Sequence, residues 1–108
     1  MEGVYVDEKI YEYVANIILA TREPLRFGYD AGESLIDFGA SPRASIALIK
    51  TAKILAAFDG RDYVTPEDIK MMANEVLRHR IGRSFEAIGE DISTDEIIEQ
   101  ILEHVVVL

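Results

Sequence analysis

Four stretches of the chain set apolar residues at helical spacing. In the first, Ile10, Tyr13, Val14, Ile17 and Ile18 fall on one face of a helix, behind Asp7 as a candidate N-cap and ahead of Pro24, which ends the run. This predicts a helix over residues 8–21. The second opens on Gly39-Ala40-Ser41-Pro42-Arg43, where Gly39 permits the turn, Ser41 is placed to cap and Pro42 suits a first helical position because its missing N–H is unpaired there anyway. From Ala44 to Ala57 this segment is apolar on nearly all sides, which predicts a central helix over 42–58 enclosed by its neighbours. Thr65-Pro66-Glu67-Asp68 repeats the cap-then-proline device, and Ile69, Met72, Ala73, Val76 and Leu77 give the inward stripe of a helix over 66–80. After Ser93 or Thr94, a last helix over 94–105 turns Ile97, Ile98, Ile101, Leu102 and Val105 inward and Glu96, Glu99 and Glu103 outward.

The segments between are less regular. Residues 23–40 hold three glycines and a proline without periodicity, which predicts a loop with one short turn near Ser34–Phe38, and residues 81–92 are looser still. Val4–Val6, Tyr63–Val64 and the tail Val105–Leu108 are β-prone, so the only sheet expected is a small one pairing Tyr63–Val64 with Val4–Val6 or with the tail. The fold class is thus all-α, a four-helix bundle with at most a small short-stranded β element. Its expected core is Val14, Ile17, Ile18, Leu48, Ile49, Ala52, Leu55, Met72, Val76, Ile98, Ile101 and Leu102.

Composition narrows the function. The 108 residues suffice for one domain, residues 1–108, with one core, and 49% apolar residues make that core affordable without staples. No cysteine is present, which removes disulfides, thiolate metal sites and cysteine nucleophiles together. A net charge of −9 repels phosphate backbones, so nucleic acid is not the expected partner. No apolar run reaches membrane-span length, and the start MEGVYVDEK has neither the basic nor the apolar region of a signal peptide, so a cytoplasmic location without membrane insertion is expected.

Most catalytic chemistry is missing. None of the seven glycines is followed by lysine, so no phosphate-cradling loop of the Gly-Lys-Ser/Thr type exists here, and the chain alone is not expected to hydrolyse nucleotides. His79 and His104 lack metal-ligand spacing, and no serine is marked as activated. Arg78, His79, Arg80 and Arg83 form a cationic cluster that reads either as complement to a helix C-terminal dipole or as a docking patch for an acidic surface. Arg43 is the odd residue. It sits in the first turn of an apolar helix, where the dipole disfavours a cation, and Lys50 shares its face. Either it pairs with an acid on the surface, or the helix start and its guanidinium form an anion site suited to a terminal phosphate.

Leu35-Ile36-Asp37-Phe38-Gly39-Ala40-Ser41-Pro42-Arg43-Ala44, then Gly60-Arg61-Asp62-Tyr63-Val64-Thr65-Pro66-Glu67-Asp68-Ile69, then Val76-Leu77-Arg78-His79-Arg80 resemble the C-terminal lid domain of MoxR-family AAA+ ATPases, as does Ala20-Thr21-Arg22. The resemblance runs from about Val4 to Val105. It implies a helical lid that closes over ATP held, with Mg, by a core domain absent from this chain, and couples hydrolysis to chaperone-like remodelling in a parent ATPase. In that picture Arg43 matches the sensor-2 arginine that reaches the terminal phosphates, Ser41 and Pro42 support the helix start that aims it, and Ala44 lines the nucleotide cleft. The implied partners are the lid's own core, neighbouring ring subunits and von Willebrand factor A domain proteins. The alternative is a histone-fold-like or free-standing helical interaction module: a long central helix, a short Gly-Arg-x-x-Val-Thr-Pro strand and a third helix occur there in the same order.

Overall fold

The computed structural model describes residues 3–107. Helix α1 runs Glu8–Arg22, with the Asp7 carboxylate accepting from the Lys9 N–H as cap. A 3-10 turn at Pro24–Phe27, a one-turn helix α2 (Gly32–Leu35) and strand β1 (Ile36–Phe38) follow. Then come α3 (Arg43–Phe58), α4 (Pro66–Leu77), strand β2 (Gly82–Arg83), α5 (Phe85–Gly89) and α6 (Thr94–His104). The four long helices stand within two residues of their predicted bounds except at the end of α4. That helix stops at Leu77 rather than residue 80. The Arg80 N–H tightens onto the Leu77 carbonyl (2.9 Å), while its guanidinium donates to the Val76 carbonyl (2.6 Å), so the last carbonyls are satisfied without another helical turn.

Helix α1 lies against α3, α4 and α6, and α3 and α4 pack along one another. Of the expected core, Val14, Ile17, Ile18, Leu48, Ala52, Val76, Ile98 and Ile101 are buried, while Ile49, Leu55, Met72 and Leu102 are half-buried. Fully buried Tyr13, Ile69, Leu77 and Ile97 complete it. The enclosed central helix needs correction. Ala44, Leu48, Ala52 and Ala56, four residues apart, form the buried stripe, whereas Ile46, Ile54 and Phe58 on the opposite side are 62%, 47% and 85% exposed. Three alanines let neighbouring helices approach closely on one side; an apolar circumference does not by itself supply neighbours for the other.

The β elements divide. Tyr5 bridges Tyr63 in parallel, as expected of Val4–Val6 with Tyr63–Val64, with Tyr5 N–H donating to the Asp62 carbonyl (2.7 Å) and Val64 N–H to the Tyr5 carbonyl (2.9 Å). Of the alternative tail strand, Val105–Val107 take no strand conformation and Leu108 lies outside the described residues. The sheet that does form was not expected: β1 pairs antiparallel with β2, Ile36 opposite Arg83 and Phe38 opposite Gly82. The Phe38 ring covers Gly82 so closely that any Cβ there would collide with it. The stretch 23–40 is therefore not a plain loop. Strands of two and three residues are too short to show a period-two alternation in sequence.

Candidate functional site

The segment that carries Arg43 enters α3 from Gly39 and is held from behind by the end of α1. Thr21 is buried, at 1% exposure; its hydroxyl donates to the Ile18 carbonyl (2.6 Å) and accepts from the Ala40 N–H (2.9 Å). Gly39 is required by proximity rather than by an unusual backbone angle, because a Cβ would collide with the Thr21 carbonyl. Arg22 also lies along this segment, its Nη1 3.5 Å from the Ala40 carbonyl oxygen. Pro42 already has helical angles (φ −56°, ψ −23°), so the first turn is wound by the Ala44 N–H on the Ser41 carbonyl (2.9 Å) and the Ser45 N–H on the Pro42 carbonyl (3.1 Å).

Ser41 is thus not a side-chain cap, as the sequence led us to expect: its carbonyl takes part in the turn and its hydroxyl does not cap the helix. Proline at the next position, already helical, pulls the turn one residue forward and leaves Ser41 outside it. α3 begins with no side-chain cap, while α1, α4, α5 and α6 are capped by Asp7, Thr65, Ser84 and Ser93. Pro42 has no N–H and the Ala44 and Ser45 N–H groups are taken up by the turn, so of its leading amides only that of Arg43 has no partner among the described residues.

Arg43 is exposed, and among the described residues it takes part in no ion pair, so the reading of it as one half of a surface pair is not met. Helix α3 carries three cations, Arg43, Lys50 and Lys53, and no acid, in a chain with 20 Asp and Glu. Beside its start an open hollow of about 360 Å³ is lined by Ala15, Ile18, Leu19, Arg22, Pro42 and Ser45, mostly by apolar atoms. An exposed guanidinium that takes part in no ion pair thus stands in the first turn of α3, and Pro42 and Ser45, on either side of it in sequence, line the apolar hollow; a cation of this kind suits an anionic group and an apolar wall a flat ring. Ala44 is fully buried and faces the interior of the bundle, so it does not line an open cleft but seats the first turn on its neighbours.

The second cationic cluster has a different fate. Arg78 forks onto Asp95 (Nε–Oδ1 2.8 Å, Nη2–Oδ2 3.1 Å), Arg80 donates to Val76, and Arg83 Nη1 donates to the Ile92 carbonyl (3.1 Å). These contacts tie the end of α4 to the α5–α6 region, and Asp95 is held below the usual carboxylate range by Arg78. Glu96, Glu99 and Glu103 face solvent, and His104 stacks on Tyr29 with ring centroids 5.2 Å apart. Among the described residues no three His, Asp or Glu side chains converge to hold a metal ion, and no helix is long and apolar enough to cross a membrane.

The AAA lid domain family matches residues 31–101, from α2 through the open start of α3 and into α6. The chain belongs to the AAA lid domain family. The lid is 39% identical over 101 residues to Chaperone MoxR1 of Mycobacterium tuberculosis, covering 94% of this chain and 27% of that protein. It is 41% identical over 83 residues to Protein MoxR of Methylorubrum extorquens, covering 73% of this chain and 24% of that one. A crystal structure of a candidate ATPase from Cytophaga hutchinsonii superposes with a TM-score of 0.94 at 45% identity, over 98% of this chain and 32% of that one. The lid therefore spans about a quarter to a third of the length of these relatives. It is the MoxR type of lid that the GASPRA and GRDYVTPED stretches suggested, and the histone-fold alternative is set aside.

Sequence reasoning singled out Arg43 but not what holds it. In sequence Thr21 stands out only as part of an Ala-Thr-Arg stretch; it lies 19 residues from Ala40, and no local spacing signals a bond across that distance.

Proposed function

We propose that this lid closes over ATP bound with Mg by a nucleotide-binding core outside these 108 residues, and that Arg43 is the sensor-2 residue that reaches the terminal phosphates. The observation that carries the proposal is the start of α3: an exposed guanidinium that takes part in no ion pair, in a turn without a side-chain cap whose Pro42 and Ser45 line an apolar hollow. ATP and its metal supply the phosphoryl chemistry. The lid supplies fixed donors and positive charge for the phosphates, an apolar wall, and the exclusion of water when it closes. Arginine suits this place because its planar fork can bind two phosphate oxygens at once and its charge is not lost on burial. Closure by such a lid couples hydrolysis to movement, which supports chaperone-like remodelling by a ring of full-length subunits, with von Willebrand factor A domain proteins as candidate partners. The fragment alone should show no ATP turnover, because it has one edge of the site and no phosphate-cradling loop.

The test is ATP turnover and melting temperature of the full-length ATPase carrying Arg43→Ala, Arg43→Lys or Lys50→Ala. Arg43→Ala should melt as wild type does and lose up to about 10³ in turnover, the low end of what a phosphate-contacting arginine contributes. Arg43→Lys should recover only part, since a point charge lacks the fork, and Lys50→Ala should be near neutral. Early melting of Arg43→Ala with unchanged turnover per folded molecule would refute the assignment.

A further inference from the structure

Ala40 is fully buried and lies three residues before Arg43, next to Ser41, whose carbonyl accepts the first bond of the α3 turn. No side chain caps that turn. The buried hydrogen bond that fixes the segment comes from another helix: the Thr21 hydroxyl, at the end of α1, accepts from the Ala40 N–H (2.9 Å). Thr21 needs only its bond to the Ile18 carbonyl to satisfy itself within α1, a common habit of threonine near a helix end. The second bond crosses to the α3 lead-in, and the close approach of Gly39 to the Thr21 carbonyl presses the same two segments together.

We propose that Thr21 is a positioning residue for Arg43: through the Ala40 N–H it locks the lead-in of α3 to α1, so that the guanidinium is aimed before the lid closes. This rests on the reading of Arg43 as the phosphate-reaching arginine. A misplacement of about 1 Å at a reacting centre costs on the order of 10²-fold in rate. Removing the hydroxyl leaves the buried Ala40 N–H without an acceptor, and the lead-in must move to find one.

The decisive variant is Thr21→Val, which keeps the shape and deletes the hydroxyl, measured in the full-length ATPase beside Thr21→Ser, Arg43→Ala and the Thr21→Val/Arg43→Ala double variant. Thr21→Val should lower kcat by about tenfold to a hundredfold with a smaller change in KM for ATP, and Thr21→Ser should restore most of it. The double variant should be no slower than Arg43→Ala alone, because an arginine that is absent cannot be mis-aimed. Amide exchange should show Ala40 losing protection in Thr21→Val and keeping it in Thr21→Ser. Should Thr21→Val fail to fold, Gly39→Ala tests the same coupling from the loop side and should be equally silent on top of Arg43→Ala. Losses that multiply in the double variant, or an unchanged kcat in Thr21→Val while Arg43→Ala is slow, overturn the positioning role and leave the sensor-2 reading standing. An Arg43→Ala enzyme of normal turnover overturns both.

Discussion

Helices α3 and α4 lie side by side and begin on the same pair of residue types, a hydroxyl residue and a proline, yet their starts are built in opposite ways. At α4 the Thr65 hydroxyl accepts from the Asp68 N–H (3.3 Å) and the Asp68 carboxylate accepts from the Thr65 N–H (2.8 Å), a reciprocal capping box. The same carboxylate, 2% exposed as a residue, receives both guanidinium nitrogens of Arg61 (2.7 and 2.8 Å), and Arg61 also holds Asp59 (2.9 Å). The cap, the carboxylate and the guanidinium there are all engaged with one another within the chain. At α3 the serine does not cap, the helix itself holds no acid, and Arg43 takes part in no ion pair among the described residues. A closed helix start stabilises the fold; one whose cation is left without an ion pair keeps that cation available for something outside it.

The contrast can be tested along each helix. The largest stability effect should come from the body of α3, not its start: Leu48, with no exposed surface, should cost about 2–5 kcal/mol as Leu48→Ala in chemical denaturation of the 108-residue chain, while Arg43→Ala should leave the same midpoint almost unmoved. Next, Asp68→Asn should cost about 1.5–3 kcal/mol, the range for hydrogen bonds to charged groups, since it weakens the fork and the box together. If Asp68→Asn is as mild as Arg43→Ala, the two starts do not differ energetically and the comparison fails.

Acid should reproduce part of that loss. The Arg61 guanidinium, and then the Thr65 N–H, hold the Asp68 carboxyl below the usual carboxylate range against the opposing effect of burial. A carboxyl with a lowered folded-state pKa stabilises the fold above the unfolded value, about pH 4, and this contribution disappears as pH falls through the folded value. The melting temperature of the wild-type chain should therefore fall on acidification below about pH 4, and Asp68→Asn should flatten that limb. An equally steep limb in Asp68→Asn would assign the acid sensitivity to other carboxylates. The smallest effects separate the two hydroxyls: Thr65→Ala should cost about 1 kcal/mol as a lost cap, and Ser41→Ala almost nothing. A Ser41→Ala loss as large as that of Thr65→Ala would mean that Ser41 caps α3 in solution.

Much of this architecture is local, and local structure is what a sequence declares. The four long helices were legible because each carries its apolar stripe at helical spacing and begins at a hydroxyl, acid or proline signal, and their bounds moved by no more than a residue except where Arg80 closes α4 early. The lid family was legible in the GASPRA and GRDYVTPED stretches for the same reason. Arg43 stood out because a cation in the first turn of an apolar helix conflicts with the dipole. What the sequence could not declare are facts about pairs of distant segments. The β1–β2 pairing joins residues 36–38 to 82–83 through strands too short to show alternation. One face of α3 is left bare because neighbours exist on one side only. Arg80 of the 78–83 cluster turns back on the Val76 carbonyl of its own helix, while Arg78 and Arg83 are consumed by Asp95 and the Ile92 carbonyl, which folding brings near. Ser41 and Thr65 carry the same signal, yet only the Thr65 hydroxyl accepts from the helix, with Asp68 completing the box, while at α3 the turn closes on the Ser41 carbonyl instead. The Thr21–Ala40 bond spans 19 residues, and tertiary packing alone decides that the end of one helix holds the start of another.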